Sequence, residues 1–157
     1  GTVVGEEVRS LLLHGGEMAP WTEALLFAAQ RAELAEAVIR PALERGAVVI
    51  SDRSLYSSLA YQGGARGLGI DEVRTANVLG LGATLPELVV VLDLPVDEAL
   101  DRQELADRIG SAGRRIQEDV AATYQQLART EPERIKILGV GAIEETVEAV
   151  YQLVVGA

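Results

Sequence analysis

The sequence predicts an α/β domain with a parallel sheet. Runs rich in β-branched and aliphatic residues at 48–50, 88–94 and 135–138 are typical of strands buried on both faces. The segments between them carry apolar residues at helical spacing. Strands that alternate with helices in this way indicate a parallel sheet, because each helix connects one strand to the next.

Helices are predicted for most of the remaining chain, after a turn at residues 1–5. Gly15 and Gly16 offer a left-handed cap to the first helix. Pro41 is expected to kink or restart the second helix, and Asp71 to cap the fourth. The predicted helices cover residues 6–13, 21–39, 54–62, 71–79, 97–102, 114–129 and 143–155.

The composition predicts one soluble domain. With 157 residues and 48% hydrophobic content, the chain is long enough to bury a core. The absence of cysteine excludes disulfides and thiolate metal sites, and a single histidine, His14, argues against a histidine metal site or a Ser-His-Asp triad. A formal charge of −10 argues against binding to a nucleic-acid polymer. No apolar run suits a membrane span, so we expect a cytoplasmic protein without membrane contact.

An acid and a guanidinium follow the first predicted strand directly, at Asp52 and Arg53. Ligands of parallel sheets bind where strands end at their carboxyl edge, so this pair suggests a phosphate with its metal. The alternative is a structural ion pair at the strand end. In the predicted helix that follows, a polar set shares one face and could form the wall of a small polar site. Its members are Ser54, Ser57, Ser58 and Tyr61.

Phe27 and Arg31 lie one helical turn apart, so a ring and a guanidinium can project into the same space. Such a pair could stack on a nucleobase and bond its edge. Pattern alone favours the alternative, in which Phe27 belongs to the core and Arg31 is a solvated charge.

Other charged or glycine-rich segments are less specific. Asp107 and Arg108, followed by arginines at 114–115, could form a mobile flap over a transferring phosphate or a solvated helix start. The glycines at 139–141 resemble the opening of a dinucleotide fingerprint, which then lacks its third glycine. No Gly-x-x-x-x-Gly-Lys-Ser/Thr motif occurs, and the one lysine, Lys136, lies within a predicted strand.

Several segments taken together resemble the bacterial thymidylate kinases, in the order in which that family carries them. They cover most of the chain, so the resemblance is specific. They are residues 1–2 with 5–6, 22–31, 39–43, 52–53 with 57–63, and 86–88 leading to 92–93.

This resemblance implies a three-layer α/β/α fold of the P-loop nucleoside monophosphate kinase type. Members transfer the γ-phosphoryl group of ATP, with Mg²⁺, to thymidine monophosphate (dTMP), and the diphosphate product supplies DNA synthesis. The resemblance also implies a single domain over residues 1–157 and a homodimer formed through helix faces. The helices at 23–39 and 71–79 are the candidates for that contact.

The resemblance also implies a role for each candidate residue. Phe27 would stack on thymine, and Arg31 would bond its carbonyl edge. As the catalytic pair, Arg53 would contact the acceptor phosphate, and Asp52 would organise the phosphates and, through them, Mg²⁺. The remaining positions are Tyr61 against the deoxyribose where a 2′-hydroxyl would sit, Ser57, Ser58 and Gln62 lining the same pocket, and Asp107 with Arg108 matching the Asp-Arg pair after the lid.

The chain departs from the family pattern in places. The strand, P-loop, helix and second strand that open the family's fold are missing before Gly1, so we expect them in the intact protein, on which activity would depend. Without them, the strands at 48–50 and 88–94 would leave backbone groups unpaired. The segment at 102–107 is shorter than the family's arginine-rich lid, Ser54 replaces an aromatic residue, and Gly110 replaces an acid.

Alternative functions stay open at this point. A related nucleoside monophosphate kinase would differ in base preference, and a catalytically inactive paralogue would bind nucleotide without transferring phosphate. A Rossmann-type binder using the glycines at 139–141 is the weakest alternative.

Overall fold

Helices surround a short parallel sheet in the computed structural model, which describes residues 1–101 and 113–156. Two π-helical segments, Ala35–Ile39 and Leu59–Ala65, interrupt the helical sequence. The α-helices are α1 Val3–His14, α2 Pro20–Leu34, α3 Arg40–Glu44, α4 Leu55–Ser58, α5 Ile70–Leu81, α6 Val96–Asp101, α7 Arg114–Thr130 and α8 Ile143–Val155. None of these helices has the length and apolar content needed to cross a membrane.

The sheet of the described residues pairs β1, Val89–Asp93, in parallel with β2, Ile135–Gly139. The register places Val89 opposite Ile135 and Asp93 opposite Gly139. Among the described residues of the connection between the strands, helices α6 and α7 provide the crossover that a parallel pair requires. The predicted α/β class with parallel strands is therefore confirmed.

The predicted strand at 48–50 is wrong. These residues are extended but belong to no ladder, and Val48 and Ile50 are 79% and 88% exposed. A strand needs a neighbour for its backbone N–H and C=O groups, and β1 pairs only with β2 in the described part of the chain. The β-branched pattern indicated an extended chain correctly, but it could not show whether a partner lies beside it.

The helix boundaries also differ from the prediction. Helix α1 begins at Val3 with Thr2 as its cap, so the expected turn at 1–5 is wrong. Gly69, with φ of 91°, occupies the cap position before α5, where Asp71 was expected. The expected restart at Pro41 is confirmed, because this proline lies in the first turn of α3, which begins at Arg40 after the π-helical segment Ala35–Ile39.

The core lies where α4 and α5 meet α7 and β2. Leu55, Leu59 and Val73 are at most 1% exposed and form one cluster with Leu127 and Ile135. Burying such aliphatic side chains stabilises a fold by about 2 kcal/mol each. This cluster anchors the segment 55–65, which carries several of the predicted site residues.

A charged network encloses one end of this core. The hydroxyl of Tyr56, itself 1% exposed, donates to Glu131 at 2.6 Å. Arg74 donates to the same carboxylate at 2.7 Å, and Arg134 donates to the Tyr56 hydroxyl at 3.2 Å. The network ties the start of α4 to α5 and to the end of α7.

The pKa of Glu131 predicts how stability depends on pH. Burial alone would raise the pKa of this carboxyl, but the hydrogen bonds from Tyr56 and Arg74 and the charges of Arg74 and Arg134 outweigh burial and lower it. Such a carboxylate stabilises the fold above its unfolded pKa, and the contribution is lost as pH falls through the folded value. Below about pH 4, we expect the urea midpoint to fall more steeply for the wild type than for Glu131→Gln. Parallel pH profiles of the two proteins would contradict this expectation.

Candidate functional site

A cavity of about 780 Å³ opens between α1, α2, the extended segment before α4 and residues 83–87. Every predicted catalytic and substrate-binding residue lines it, although these residues come from separate parts of the chain. They are Phe27, Arg31, Asp52, Arg53, Ser57, Ser58, Tyr61 and Gln62. The predicted lid residues, Asp107 and Arg108, lie outside the described residues.

Arg53 lies at the end of the extended segment in a left-handed backbone conformation, with φ of 67°. This conformation costs a non-glycine residue about 1–2 kcal/mol. The hydroxyl of Ser51 donates to the Arg53 carbonyl at 2.7 Å and supports the turn. The Arg53 guanidinium lies 5.5 Å from the centroid of the Tyr61 ring. Strain of this kind at a cavity wall is typical of functional residues.

Asp52 precedes Arg53 and is exposed at the cavity. Within residues 1–101 and 113–156, no group of three or more acidic or histidine side chains could hold a metal ion. Mg²⁺ is usually bound by one or two carboxylates together with substrate phosphates. Asp52 contributes one exposed carboxylate to the cavity.

Arg31 extends from α2 to the inner wall of the cavity. One terminal nitrogen, Nη1, donates to Ser58 Oγ at 2.8 Å and to Asn77 Oδ1 at 3.1 Å. The guanidinium carbon lies 5.3 Å from the centroid of the Phe27 ring. Burial is the largest cause that lowers the pKa of Arg31, to about 10, so the side chain is still charged at neutral pH. Phe27 and Arg31 thus share the cavity instead of separating into core and solvent.

Helix α7 supports the polar residues at 54–61 through a hydrogen bond. Tyr124 forms a hydroxyl–hydroxyl hydrogen bond of 3.1 Å with Ser57. Burial raises the pKa of Tyr124, so it is a neutral hydrogen-bonding group at physiological pH. Ser54 lines the cavity as predicted, but its hydroxyl also caps α4 by accepting from the Tyr56 amide at 3.3 Å.

Tyr61 and Gln62 belong to the π-helical segment Leu59–Ala65 rather than to a continued α-helix, which corrects the predicted helix over 54–62. Such segments are frequent at functional sites. At Gly64, a Cβ would lie 2.1 Å from Thr123 Oγ1, so this glycine permits the close approach of α7. The sequence contained the glycine, but its spatial neighbour was not predictable from the local pattern.

A buried carboxylate lies behind Gln62. The Gln62 side-chain amide donates to Glu23 at 2.7 Å, and Arg66 lies 3.7 Å from the same oxygen. Glu23 and Gln62 are 2% and 1% exposed. Because a buried carboxylate is costly unless it is paired, these contacts hold Gln62 in one orientation at the cavity.

The residue-level prediction missed several side chains around the cavity. Arg9 on α1 and Thr2, the cap before it, line the cavity, although the sequence presented this segment only as a short amphipathic helix after a turn. Asn77 and Tyr124 reach site residues from α5 and α7. No local signal marks them, because each contact joins residues far apart in the sequence.

Comparison with known proteins identifies the family of this chain. The thymidylate kinase family model matches residues 1–150. A thymidylate kinase of Synechococcus sp. (strain JA-3-3Ab) is 43% identical over 141 residues, which cover 90% of this chain and 69% of the relative. That of Bifidobacterium longum (strain DJO10A) is 42% identical over 159 residues, covering 96% and 75%. That of Desulforudis audaxviator (strain MP104C) is 47% identical over 136 residues, covering 84% and 62%. The chain belongs to the thymidylate kinase family.

Proposed function

We propose that this protein phosphorylates dTMP to the diphosphate with ATP as donor, and that the cavity is the acceptor site. The observation that carries the proposal is the arrangement of two guanidiniums, each beside an aromatic ring, in one cavity. Arg31 lies with Phe27, and Arg53 lies with Tyr61. A nucleoside monophosphate has a flat base and an anionic phosphate, which match these two groups.

In this proposal the inner half of the cavity binds the base. Phe27 supplies an apolar face for stacking, and Arg31 donates hydrogen bonds to a carbonyl edge. The described contacts of Arg31 are with neutral groups, so its charge is available to an electron-rich oxygen. Thymine presents such an oxygen where cytosine presents an amino group, which would repel the guanidinium.

The outer half of the cavity would hold the phosphate. Arg53 donates to the acceptor phosphate and keeps it in line with the donor. Because phosphoryl transfer requires little covalent participation by the protein, positioning and charge neutralisation supply the catalysis. Asp52 would hold Mg²⁺ together with the phosphates, and that ion supplies further neutralisation of the transferring group when bound. Tyr61 would limit space beside the sugar and disfavour a 2′-hydroxyl.

The test is a panel of acceptors assayed by ADP formation with the full-length protein and Mg-ATP. We expect dTMP to have the highest kcat/KM, above dCMP, which differs at the carbonyl edge, and above 5-methyluridine monophosphate, which differs from dTMP only by its 2′-hydroxyl. A higher value for another base would support the related kinase with a different preference. Binding of dTMP with no ADP formation would support the inactive paralogue.

Further properties remain predictions from the sequence and its resemblance. They are the magnesium requirement, the homodimer, the cytoplasmic location and the single domain over residues 1–157. Omission of Mg²⁺ from the same assay tests the first, and light scattering of the purified protein tests the second.

A further inference from the structure

Asn77 is a buried polar side chain whose role the proposed reaction does not yet explain. It lies on α5, 1% exposed, beneath the wall of the cavity. Its amide nitrogen donates to the Val73 carbonyl at 2.9 Å, one turn back along the helix. Because the nitrogen is directed toward Val73, the amide oxygen must face away from it, and it accepts from Arg31. The orientation of the Asn77 amide is therefore determined by a partner for its nitrogen and a partner for its oxygen.

The contacts of Arg31 show what this orientation achieves. A guanidinium has five N–H donors, two of them on each terminal nitrogen. Nη1 directs one hydrogen to Ser58 and the other to Asn77, so both are used within the protein. Nε and Nη2 have no partner among the described contacts of Arg31, which lines the cavity. The remaining donors of Arg31 are thus presented to the cavity in one fixed plane.

The acceptor on Asn77 is also neutral. A carboxylate at this position would hold the guanidinium as firmly, but it would compensate the charge of Arg31 within the protein. An amide oxygen holds the side chain in place and leaves the charge for a ligand. This distinction separates a positioning role from an ordinary buried ion pair.

We propose that Asn77 is a positioning residue for base recognition: it directs the free edge of Arg31 toward a pyrimidine carbonyl without neutralising it. The inference rests on the proposed function of the cavity. Asn77 does not line the cavity, so it would act on the ligand through Arg31. Loss of its acceptor oxygen should therefore weaken recognition of the base without affecting phosphate binding.

The test is a double-mutant cycle in the full-length protein, using Asn77→Leu, Arg31→Met and the combination. We expect Asn77→Leu to raise the KM for dTMP about tenfold with kcat within about twofold, as for the loss of one hydrogen bond to a charged group. In the Arg31→Met background, the same change should alter KM by less than about twofold. The inhibition constant of 2-deoxyribose 5-phosphate, which has no base, should not change. Thr75→Val, at an exposed position on the same helix, is the matched control.

Each alternative result has a distinct meaning. Equal KM effects of Asn77→Leu in both Arg31 backgrounds would overturn the inference, as would an equal loss for 2-deoxyribose 5-phosphate. If Asn77→Leu does not fold, Asn77→Ala serves in the same cycle with the same expectations. Failure of the wild type to bind dTMP would overturn the proposed function itself, whereas normal dTMP kinetics in the folded Asn77 variants would overturn only the positioning role.

Discussion

Replacing Arg53 with alanine is expected to lower the turnover of dTMP about a thousandfold, because one preorganised cation at a transferring phosphate contributes about that much. Arg53 lines the cavity, and its guanidinium lies beside the Tyr61 ring rather than in the core. The variant should therefore fold. The measurement is kcat at saturating dTMP, together with the urea midpoint.

Two controls separate chemistry from folding in this experiment. Arg45→Ala removes an exposed arginine that does not line the cavity and should leave kcat unchanged. Arg53→Gly should be as inactive as Arg53→Ala but more stable by about 1 kcal/mol, because glycine accepts the left-handed backbone conformation that alanine does not. Normal turnover in either Arg53 variant would refute the assignment of this residue to the acceptor phosphate.

Replacing Arg31 with methionine is expected to weaken dTMP binding about a hundredfold, the loss that accompanies removal of a charged hydrogen-bond donor. Stability should change by less than about 1 kcal/mol, because the lost hydrogen bonds to Ser58 and Asn77 are offset by removal of a poorly solvated charge. The pKa of Arg31, lowered to about 10, reports that unfavourable burial. Calorimetric titration with dTMP, and urea unfolding of the same samples, measure both quantities.

The specificity of this effect can be examined with ligands that lack the base. Inhibition by 2-deoxyribose 5-phosphate should be the same for Arg31→Met and the wild type, since Arg31 is assigned to the base edge. Arg45→Met is the matched control for the loss of an arginine elsewhere on the chain. Equal weakening of both ligands would mean that Arg31 supports the whole cavity instead of recognising the base.

Sequence identified residues that line the cavity more accurately than it identified the strands of the sheet. Asp52 with Arg53 stood out by their position after an extended apolar run, whereas the spacing of Phe27 and Arg31 alone favoured a core ring and a solvated charge, and only the family resemblance assigned that pair to the site. Both pairs are visible in the sequence because their members lie within a few residues of each other. The strand at 48–50 was wrong because a strand also requires a partner from a distant part of the chain, and no described strand lies beside it.

The supporting contacts were not predictable for the same reason. Arg31 meets Asn77 across 46 residues, and Gln62 meets Glu23 across 39. The π-helical segment Leu59–Ala65 contains two glycines that are closely approached by other parts of the chain, and no helical periodicity reveals those approaches. Sequence could therefore name the residues that line the cavity but not those that orient them.

Family membership confirms the predicted three-layer α/β/α fold class of the P-loop nucleoside monophosphate kinases. The individual residue roles carried by that resemblance remain predictions. Among them, Asp107 and Arg108 lie outside the residues that the structure describes.

A crystal structure of the full-length protein with dTMP tests the central claim most directly. We expect the thymine ring against Phe27 with its O4 within hydrogen-bonding distance of Arg31, and the phosphate within hydrogen-bonding distance of Arg53. Binding of dTMP outside this cavity, or in the reverse direction with its phosphate at Arg31, would contradict the claim.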